Sequence, residues 1–489
     1  MRTKTSMTSG ASNAVIVPGA NPEALGFRAW FKQDVPAPVT RILEILRAAN
    51  HPAYIVGGCV RDCLLGVRPH DWDICTSASL SRVRPLFEQK GYYVAATGLK
   101  HGTLTVIDGG RPYEITVFRQ KSDFAALHGG RPGKRTAKEI PSLQEDLGLR
   151  DFTINSMAWS QEDGLVDPFG GMGDLQARLL RCAGSAHERL REDPLRILRA
   201  LRFAAILDFS MEDGLRQALH DSVPLLEKVA VERVTSELYR FMHAPGVRVA
   251  ALLREYADVF CRIMPELEPM IGFDQHNFHH SYDVWEHTMK AMEACHAEDI
   301  VLKFTILFHD MGKPRAFTMD AEGIGHFYGH GEISRELCTK VMKRLRFDTK
   351  TAMDVRTLVE VHDARVEGNT RSIRRWLNRL GLEQFERLLL MKTCDAAGQN
   401  PAFWPEREAY VDSLRAGLQQ VLAQDACFSM KDLAVKGSDL IAVGYQTGGA
   451  LGKCLHRLLD EVLDERLPNE KHALLAKAVS WLNQESRLH

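Results

Sequence analysis

The spacing of hydrophobic residues changes several times along the first part of the chain. After Pro38 the segment VTRILEILRAAN has the helical period, and the apolar run AYIV behind it has the composition of a short strand. A Gly57-Gly58 turn leads into a second helical segment, CVRDCLL, which ends at Gly66. HDWDICT has strand character at its centre, and GTLTVI and YEITVF are further strand-like runs. These elements predict a mixed α/β unit.

From about Leu175 the apolar residues follow the helical period almost throughout, apart from short loops such as TMDAEGIGHFYGHG. The predicted fold class is therefore α+β, with a mixed α/β head followed by all-helical domains. A chain of 489 residues is too long for a single core. Its content divides it into a flexible lead-in (1–37), the head (38–173), an arginine-rich helical neck (174–265), a histidine-rich helical domain (266–420) and a helical tail (421–489).

The composition is that of a folded, water-soluble protein. Hydrophobic residues make up 45% of the chain and charged residues 26%, and no run of about 18 apolar residues occurs. The N-terminal segment lacks the apolar core of a signal peptide, and the ten cysteines form no CxxC pair. We therefore expect a reduced, cytoplasmic protein with no membrane partner.

The net charge of −1 does not by itself indicate a nucleic-acid partner, so such a partner would need local basic patches. Two arginine-rich segments qualify. The first contains Arg189, Arg191, Arg196, Arg199 and Arg202, and the second contains Arg371, Arg374, Arg375 and Arg379. Solvated helix faces show the same pattern, and the residues alone leave both interpretations open.

Asp71 and Asp73 are the first candidates for chemistry. If the segment from Asp71 to Ile74 is a strand, both carboxylates point from the same face, where their charges repel. A divalent cation removes this conflict. Mg²⁺ suits the pair because it prefers oxygen ligands and keeps water or phosphate oxygens in its remaining positions. An Asp-x-Asp pair alone is weak evidence, since many surface loops carry one.

The turn at Gly57 and Gly58 adds a second kind of evidence. It follows a strand and opens a helix, so its backbone N–H groups and the positive end of the helix are placed to receive a phosphate. Arg61, one turn into the helix, adds a fixed positive charge. The same sequence also fits an ordinary tight turn in which Arg61 and Asp62 form a surface pair.

The whole string GGCVRDCLLGVRPHDWDICTS resembles the signature of class II tRNA nucleotidyltransferases and bacterial poly(A) polymerases, in the DNA polymerase β-like superfamily. ATGLKHGTLTV, YEITVFR, LRDFTINSMAW and REDPLRILRALRFAA follow in the family's order, so the resemblance covers roughly residues 40 to 480. It implies that Asp71 and Asp73 hold two metal ions, one activating the RNA 3′-hydroxyl and one steadying the departing pyrophosphate. Glu114 is either a third acid or a paired strand carboxylate.

The resemblance also implies how the base is chosen. Asp193 and Arg196 would form a protein template, because cytosine and adenine both present an amino donor beside a ring-nitrogen acceptor, whereas guanine and uracil present the opposite order. Pro194 suits the first helical position, which makes Asp193 a candidate N-cap as well. Helical spacing supports nucleotide contact by Arg199 better than by Arg202. The nucleotide-binding set is Gly57, Gly58, Arg61, Arg150, Asp193, Arg196, Arg199 and Arg202.

Two places depart from the family's pattern. Leu149 stands where the family usually has an arginine before the Arg-Asp of LRDFTIN. In the preceding loop, Ala126 and His128 stand where a Tyr-x-Asp usually precedes the Arg131-Pro132 pair. This loop helps the pocket to switch from C to A addition, so its departure bears on full CCA synthesis. Its unshortened length argues against an enzyme that adds only CC.

Between residues 270 and 400 the chain carries HSYDVWEHT, FHDMGKP, HFYGHGE, VHD and KTCDAAGQ. This order resembles the HD phosphohydrolase superfamily. The resemblance implies a primary metal set of His287, His309, Asp310 and Asp395, with His330 and His362 completing a second metal. Imidazole and carboxylate ligands suit a transition metal such as Ni²⁺ or Mn²⁺, whose bound water becomes the nucleophile.

Three functions remain open on this evidence. The first is addition of CCA to tRNA 3′ ends from CTP and ATP, with an HD phosphohydrolase activity (2′,3′-cyclic phosphodiesterase or phosphatase) beside it. The second is a poly(A) polymerase, although TGLKHGTLTV resembles the CCA-adding branch. The third is a non-catalytic RNA-binding descendant, which the intact Asp71, Asp73, Asp193 and Arg196 disfavour. The predicted partners are tRNA, CTP and ATP, and the oligomeric state is open.

Overall fold

The computed structural model describes residues 35–98, 102–120, 141–424 and 428–485. The chain divides into two compact units, Met1–Val229 and Ala230–His489. The first contains a seven-stranded sheet, and the second consists of helices and a short hairpin. The predicted fold class, a mixed α/β head followed by a helical region, is confirmed. The finer division into lead-in, head, neck, histidine-rich domain and tail stays a prediction.

The first unit alternates strands and helices. Its strands are β1 (Ala53–Val56), β2 (Asp73–Thr76), β3 (Tyr93–Gly98), β4 (Thr103–Asp108), β5 (Arg111–Val117), β6 (Ala158–Ser160), β7 (Gly164–Val166), β8 (Leu179–Leu180) and β9 (Ser210–Met211). Its helices are α1 (Ala37–Ala48), α2 (Gly58–Leu64), α3 (Leu80–Glu88), α4 (Leu143–Gly148), α5 (Gly171–Gln176), α6 (Ala186–Glu192), α7 (Arg196–Leu207) and α8 (Asp213–Asp221).

The seven-stranded sheet has the order β3-β4-β5-β2-β1-β6-β7. Strand β2 pairs in parallel with β5 and antiparallel with β1, which makes it a central strand. Ile74, Cys75 and Thr76 are fully buried, whereas the first residue of the strand, Asp73, is exposed. In the register with β5, Asp73 lies opposite Glu114. The sheet therefore brings carboxylates of two neighbouring strands together.

Apolar spacing accounts for the first two elements. Helix α1 buries Val39, Ile42, Leu43 and Leu46, which recur at helical intervals on one face. The helix begins at Ala37, close to the predicted start after Pro38. Strand β1 occupies the four residues of AYIV that were predicted to form it.

The second unit begins at α9 (Val231–Met242). The helices that follow are α10 (Gly246–Glu255), α11 (Ala257–Ile263), α12 (Val284–Glu293), α13 (Ile300–Phe308), α14 (Lys313–Ala316), α15 (His330–Arg344), α16 (Thr349–Val361), α17 (Thr370–Leu380), α18 (Leu382–Ala397), α19 (Trp404–Ala423), α20 (Gly437–Ala442), α21 (Gly449–Leu463) and α22 (Lys471–Glu485). Its strands are β10 (Thr318–Met319) and β11 (Gly325–His326).

The segment TMDAEGIGHFYGHG, predicted as a loop, contains the antiparallel hairpin of β10 and β11. The carboxylate of Asp320 closes its turn by accepting hydrogen bonds from the backbone of Glu322 and Ile324 at 3.1 and 2.8 Å. The ring of His326 is tied to the same carboxylate, with Nε2 2.7 Å from Oδ2. Two-residue strands are too short to give a readable alternation, which is why the sequence did not predict them.

Two general expectations can be compared with the described residues. None of the helices in these ranges is both long and apolar enough to cross a bilayer. The nine cysteines that the structure describes are all free thiols.

Candidate active sites

Asp71 and Asp73 lie side by side but not on one element. Strand β2 begins at Asp73, and Asp71 lies in a bend before it, so the strand from Asp71 to Ile74 on which the prediction depended starts two residues later. Although Asp73 reaches solvent, the protein atoms packed around its carboxyl raise its pKa by desolvation, and Asp71 raises the pKa further while Arg150 opposes the shift. Desolvation, followed by the charges of Asp73 and Asp71, raises the pKa of Glu114. The three carboxylates thus repel one another.

This acid cluster fits a divalent cation. None of its three members, Asp71, Asp73 and Glu114, forms an ion pair with a lysine or arginine of the described ranges. Like charges that lack a cationic partner favour binding of a proton or a metal. The donor set consists of carboxylate oxygens alone, which is the ligand type that Mg²⁺ prefers.

Asp73 also faces a cavity of about 380 Å³ in the first unit. The cavity lies within the usual range for small-molecule sites, about 300–1,000 Å³. Its lining combines six arginines with three aspartates, which suits a polyanion. The lining residues are Gly57, Gly58, Arg61, Asp73, Arg119, Leu149, Arg150, Asp151, Asn155, Asp193, Arg196, Arg199, Arg202 and Phe203. Every nucleotide-binding residue predicted from the sequence is among them.

Gly57 is required by both its backbone and its neighbour. Its φ of +79° is a conformation that side chains rarely adopt, and a Cβ there would lie 2.8 Å from Nη1 of Arg150. Arg150 is held by Asp146, whose Oδ2 lies 3.3 Å from Nη2, while Oδ1 accepts from Nε of Arg119 at 2.8 Å. Asp146 is fully buried, yet the two arginines outweigh burial and lower its pKa. This acid fixes two guanidinium groups at the cavity wall.

A second buried acid, Asp151, holds Arg199. Nε and Nη2 of Arg199 donate to Oδ2 of Asp151 at 2.8 and 2.5 Å, and the Asn155 amide donates to Oδ1 at 3.0 Å. Against the effect of burial, these contacts lower the pKa of Asp151. Asn155 in turn accepts a hydrogen bond from Nη1 of Arg61 at 2.7 Å. It therefore links the arginine of α2 with that of α7.

The ring of Phe203 lies among three of these guanidinium groups. The Cζ atom of Arg202 lies 4.0 Å from the ring centroid, and those of Arg61 and Arg199 lie at 5.1 and 5.4 Å. Such distances allow cation–π attraction. Arg199 and Arg202 both line the cavity, although ideal helical spacing supported Arg199 better than Arg202.

Asp193 lies in the break between α6 and α7. Helix α7 begins at Arg196, so the prediction that Pro194 is its first residue is wrong by two positions. The carboxylate of Asp193 accepts from the backbone N–H of Leu195 at 3.2 Å and thus caps the turn before the helix. Arg196 is 4% exposed, and its Nη2 donates to the carbonyl of Leu149 at 2.6 Å. Leu149, which departs from the family's pattern, acts here through its backbone.

The second arginine-rich segment is neutralised by acids of the same unit. Nε of Arg371 and Nε of Arg375 both donate to Oδ1 of Asp464, at 3.0 and 2.7 Å. Arg374 lies 3.4 Å from Glu465. These contacts favour a structural role for the segment over a free basic patch. The first segment differs, because three of its arginines line the cavity.

Some residues of the cavity were not predicted. Asp151 and Asn155 belong to LRDFTINSMAW, so the motif contained them, but Asp151 meets Arg199 across 48 positions. No spacing rule predicts such a contact, and the same holds for the contact of Asp146 with Arg119, 27 positions away, whereas Asp146 and Arg150 are at the helical i,i+4 spacing. The loop positions Ala126, His128 and Arg131-Pro132 lie outside the described residues.

The second unit brings the first four predicted HD-type ligands together. Nε2 of His287 lies 3.2 Å from Nε2 of His309 and 3.0 Å from Oδ1 of Asp395. Nε2 of His309 lies 3.1 Å from Oδ2 of Asp310. His287, His309 and Asp395 offer ligand atoms that all lie within 4.8 Å of one another.

His330 and His362 complete the cluster from the other side of Asp310. Their Nε2 atoms lie 3.2 Å apart, and 3.5 and 3.7 Å from Oδ1 of Asp310. A cavity of about 500 Å³ opens onto these three residues and onto Asp395. All six residues singled out in the sequence thus meet at one place.

The four imidazoles share one orientation. The Nδ1 atom of each lies 2.7–2.8 Å from a backbone carbonyl oxygen. The pairs are His287 with Gly398, His309 with Ile306, His330 with Phe327 and His362 with Val359. Because a carbonyl only accepts, Nδ1 carries the hydrogen and the lone pair is on Nε2, which points into the cluster. Lone pairs that face each other at 3.2 Å call for a cation between them.

Asp310 strengthens the fit to a metal. It is 1% exposed, and neither carboxylate oxygen accepts a well-aligned hydrogen bond from the described residues, although Nζ of Lys313 lies 2.8 Å from Oδ2. Burial lowers the pKa of His309, but Asp310 and Asp395 overcome this effect and raise it to about 10, so the two carboxylates draw a positive charge to its Nε2, either a proton or a metal ion in its place. Buried carboxylates beside imidazole lone pairs are a ligand set typical of transition metals.

Acids gathered at a central strand, beside a cavity rich in arginine, are the arrangement expected of a nucleotidyltransferase. Residues 53–181 match the "Poly A polymerase head domain" family, and residues 317–478 match a family described as tRNA nucleotidyltransferase domain 2. The chain is 30% identical over 437 residues to the CCA-adding enzyme of Lactiplantibacillus plantarum, covering 89% of this chain and 93% of that protein. The chain belongs to the family of CCA-adding enzymes.

Other relatives agree. The CCA-adding enzyme of Levilactobacillus brevis is 32% identical over 438 residues, covering 89% of this chain and 95% of that protein. The structure of the Bacillus stearothermophilus CCA-adding enzyme in complex with CTP matches with a TM-score of 0.64 at 24% identity, covering 93% of this chain and all of that one (100%). The Thermotoga maritima CCA-adding enzyme complexed with tRNA matches with a TM-score of 0.58 at 19% identity, covering 93% and 98%. At these identities the likeness to the solved structures shows the shared fold.

Proposed function

We propose that this chain adds CCA to the 3′ ends of tRNA from CTP and ATP. The observation that carries the proposal is the shared cavity: Asp73, one of the two candidate metal ligands, lines it together with Asp193 and Arg196, the candidate base template. Membership of the CCA-adding family supports the same reaction. A poly(A) polymerase and a non-catalytic RNA-binding protein remain the alternatives that the experiment below distinguishes.

In the proposed reaction the 3′-hydroxyl oxygen of the RNA gives up its proton to water and attacks the α-phosphorus of the nucleotide, and the bond from that phosphorus to the bridging oxygen breaks, which releases pyrophosphate. Asp71 and Asp73, with Glu114 beside them, would hold Mg²⁺, which when bound would supply positive charge to the attacking and departing oxygens. The arginines of the cavity hold the triphosphate. Asp146 positions Arg150 in advance of binding, so little reorganisation is needed when the nucleotide arrives.

The choice of base falls to Asp193 and Arg196. A carboxylate accepts from the amino group of cytosine or adenine, and a guanidinium donates to the adjacent ring nitrogen. Guanine and uracil would place like groups opposite each other, at a cost of about 1–3 kcal/mol for each unpaired buried group. Arg196 has little freedom to adapt, because the carbonyls of Leu149 and Arg189 hold it at 2.6 and 2.8 Å.

The test uses tRNA that lacks its 3′ end, Mg²⁺, and CTP, ATP or both. We expect addition that stops at three nucleotides when both are present. Continued extension with ATP alone would indicate a poly(A) polymerase, and no incorporation would indicate a binding protein. The Asp71→Ala variant should lose incorporation but keep most of its tRNA binding, and full activity in that variant would contradict the metal assignment.

We further propose that the histidine cluster binds a transition metal and hydrolyses phosphate esters of RNA ends, such as 2′,3′-cyclic phosphates or terminal phosphates. The convergence of four Nε2 lone pairs on Asp310 favours this second activity. When bound, the metal supplies an activated water as the nucleophile. His287, His309, Asp310 and Asp395 would hold one ion, and His330 and His362 would serve a second.

A crossed experiment separates the two activities. With Mn²⁺ or Ni²⁺ and a 2′,3′-cyclic nucleotide, His309→Ala should lose hydrolysis and keep CCA addition, whereas Asp71→Ala should do the reverse. Metal content of the purified protein gives a readout that does not depend on turnover. Protein that binds no divalent metal and shows no hydrolysis with either ion would contradict the second activity alone.

A further inference from the structure

A second cavity of the first unit has no part in the mechanism above. Its volume is about 660 Å³, larger than that of the arginine cavity. It is formed by the segment 67–72, which leads into β2, by residues 111–113 at the start of β5, and by Pro36.

The two cavities are lined by different members of the acid cluster. Asp71 lines the second cavity and is absent from the lining of the arginine cavity, whereas Asp73 shows the reverse. An in-line displacement places the attacking oxygen opposite the departing pyrophosphate. If the triphosphate fills the arginine cavity, the attacking hydroxyl therefore arrives from the side of Asp71.

The second cavity also has the chemistry of a single-stranded RNA site. Arg68, His70 and Arg111 are exposed at its rim, and neither arginine forms an ion pair with a carboxylate in the described part of the chain. Trp72 and Tyr113 are 8% and 6% exposed and form an apolar floor. Cations that follow the phosphates, above a surface that accepts the base or sugar, are typical of sites for nucleic-acid strands.

We propose that this cavity receives the 3′-terminal nucleotide of the RNA substrate, with Arg68 and Arg111 contacting its phosphates. The assignment rests on the proposed nucleotidyl transfer. It separates binding of the two substrates, because the RNA end and the incoming nucleotide approach the acid cluster through different arginines.

The test is the double variant Arg68→Ala, Arg111→Ala, compared with the control Arg82→Ala, Arg84→Ala. The control removes the same charge from exposed positions of α3, outside the cavity. We expect the KM for tRNA to rise about tenfold in the first variant. The slope of log KM for tRNA against log salt should fall by about 0.7 for each RNA phosphate that an arginine no longer neutralises. The KM for CTP should stay within about twofold of the parent value, and so should the affinity for CTP measured without tRNA. Removing an arginine that binds the triphosphate would change both values much more.

Three further measurements make the outcome decisive. Lysine at both positions should restore most of the tRNA affinity, and an unchanged melting temperature excludes misfolding. An unchanged KM and salt slope for tRNA would overturn the proposal, and so would a loss of CTP binding, which would assign these arginines to the triphosphate. The affinity for tRNA with an unreactive 3′-deoxy end tests the site without any turnover. If the parent protein adds no nucleotide, that failure contradicts the proposed function, and the affinity still tests the RNA site.

Discussion

At Gly57 one substitution would disturb both the backbone conformation and an arginine of the nucleotide-binding cavity. Gly57→Ala would strain a backbone with φ of +79° by about 1–3 kcal/mol and push against Nη1 of Arg150. We expect the KM for CTP and for ATP to rise together. Gly58→Ala is the matched control, because its Cβ would meet Nη2 of Arg61 at an ordinary 3.6 Å. Equal kinetic effects of the two substitutions would contradict this role of Gly57.

The raised pKa values of Asp73 and Glu114 predict how the first centre responds to acid. A raised pKa means that protons compete with Mg²⁺ at a pH above the ordinary range of these side chains, which is about 4. Incorporation at low Mg²⁺ should therefore rise with pH through that raised pKa, and more Mg²⁺ should move the acid limb to lower pH. Profiles of kcat/KM for CTP at two Mg²⁺ concentrations test this.

Glu114→Gln gives an independent check of the same mutual repulsion. Removing one of three like charges should lower the pKa of Asp73 and shift the acid limb to lower pH. If neither the Mg²⁺ concentration nor this substitution moved the acid limb, protons and Mg²⁺ would not be competing for these carboxylates.

Residue types were easier to predict than residue partners. The motifs contained the arginines of the cavity and the six candidate ligands of the histidine cluster, because the type of a residue determines its charge and its ligand atoms. Asp151 was not predicted because its partner Arg199 lies 48 positions away, and Asp146 was not predicted as the acid that joins Arg150 to Arg119, 27 positions away. Asp151 lies in a bend and meets Arg199 of α7 only in the folded chain, so sequence spacing does not indicate that contact.

At the scale of elements, the strength of the local signal decided what could be predicted. Strand β1 is a short apolar run between turn residues, and its limits were predicted correctly. Helix α7 begins two residues later than predicted, since Asp193 caps a turn through Leu195 instead of the helix itself. Asp71 lies before β2 for a similar reason: the strand starts where pairing with β5 begins, at Asp73.

Asp464 connects two helices of the second unit and predicts an effect on stability. Its side chain is 3% exposed and accepts hydrogen bonds from Arg371 and Arg375 of α17. Asp464→Ala should lower the free energy of unfolding by about 1–2 kcal/mol, a modest loss because the arginines are half exposed. Asp460→Ala is the control: its 59% exposed carboxylate lies 4.0 Å from Nη1 of the same Arg375, at the outer limit of an ion pair, so its loss should cost little. Chemical denaturation of both variants measures the difference, and equal stabilities would contradict it.

The same contact has a defined pH dependence. Arg375 and Arg371 lower the pKa of Asp464 below its usual value. A lowered pKa in the folded state gives stability that is fully present above the ordinary pKa of about 3.9 and is lost as the pH falls through the lowered value. The stability difference between the parent and Asp464→Ala should therefore shrink only in strong acid.

At the scale of the whole molecule, the chain carries two candidate metal centres of different chemistry, one in each unit. The first offers carboxylate oxygens alone and leaves room for triphosphate and water, as Mg²⁺ requires. The second offers four imidazoles around buried carboxylates, which favours a transition metal. Ligand type alone should therefore keep the two ions apart, even when both are present.

That separation can be measured on the intact chain. A metal that binds the folded histidine cluster stabilises the protein by about 2.7 kcal/mol at a free concentration one hundred times its Kd. Ni²⁺, which favours imidazole ligands, should raise the Tm of the parent and of His472→Ala, whose imidazole is exposed on α22, but not that of His309→Ala. An equal rise in all three would place the ion elsewhere. Because Asp71 and Asp73 lie in the other unit, Asp71→Ala should leave the Ni²⁺ effect intact.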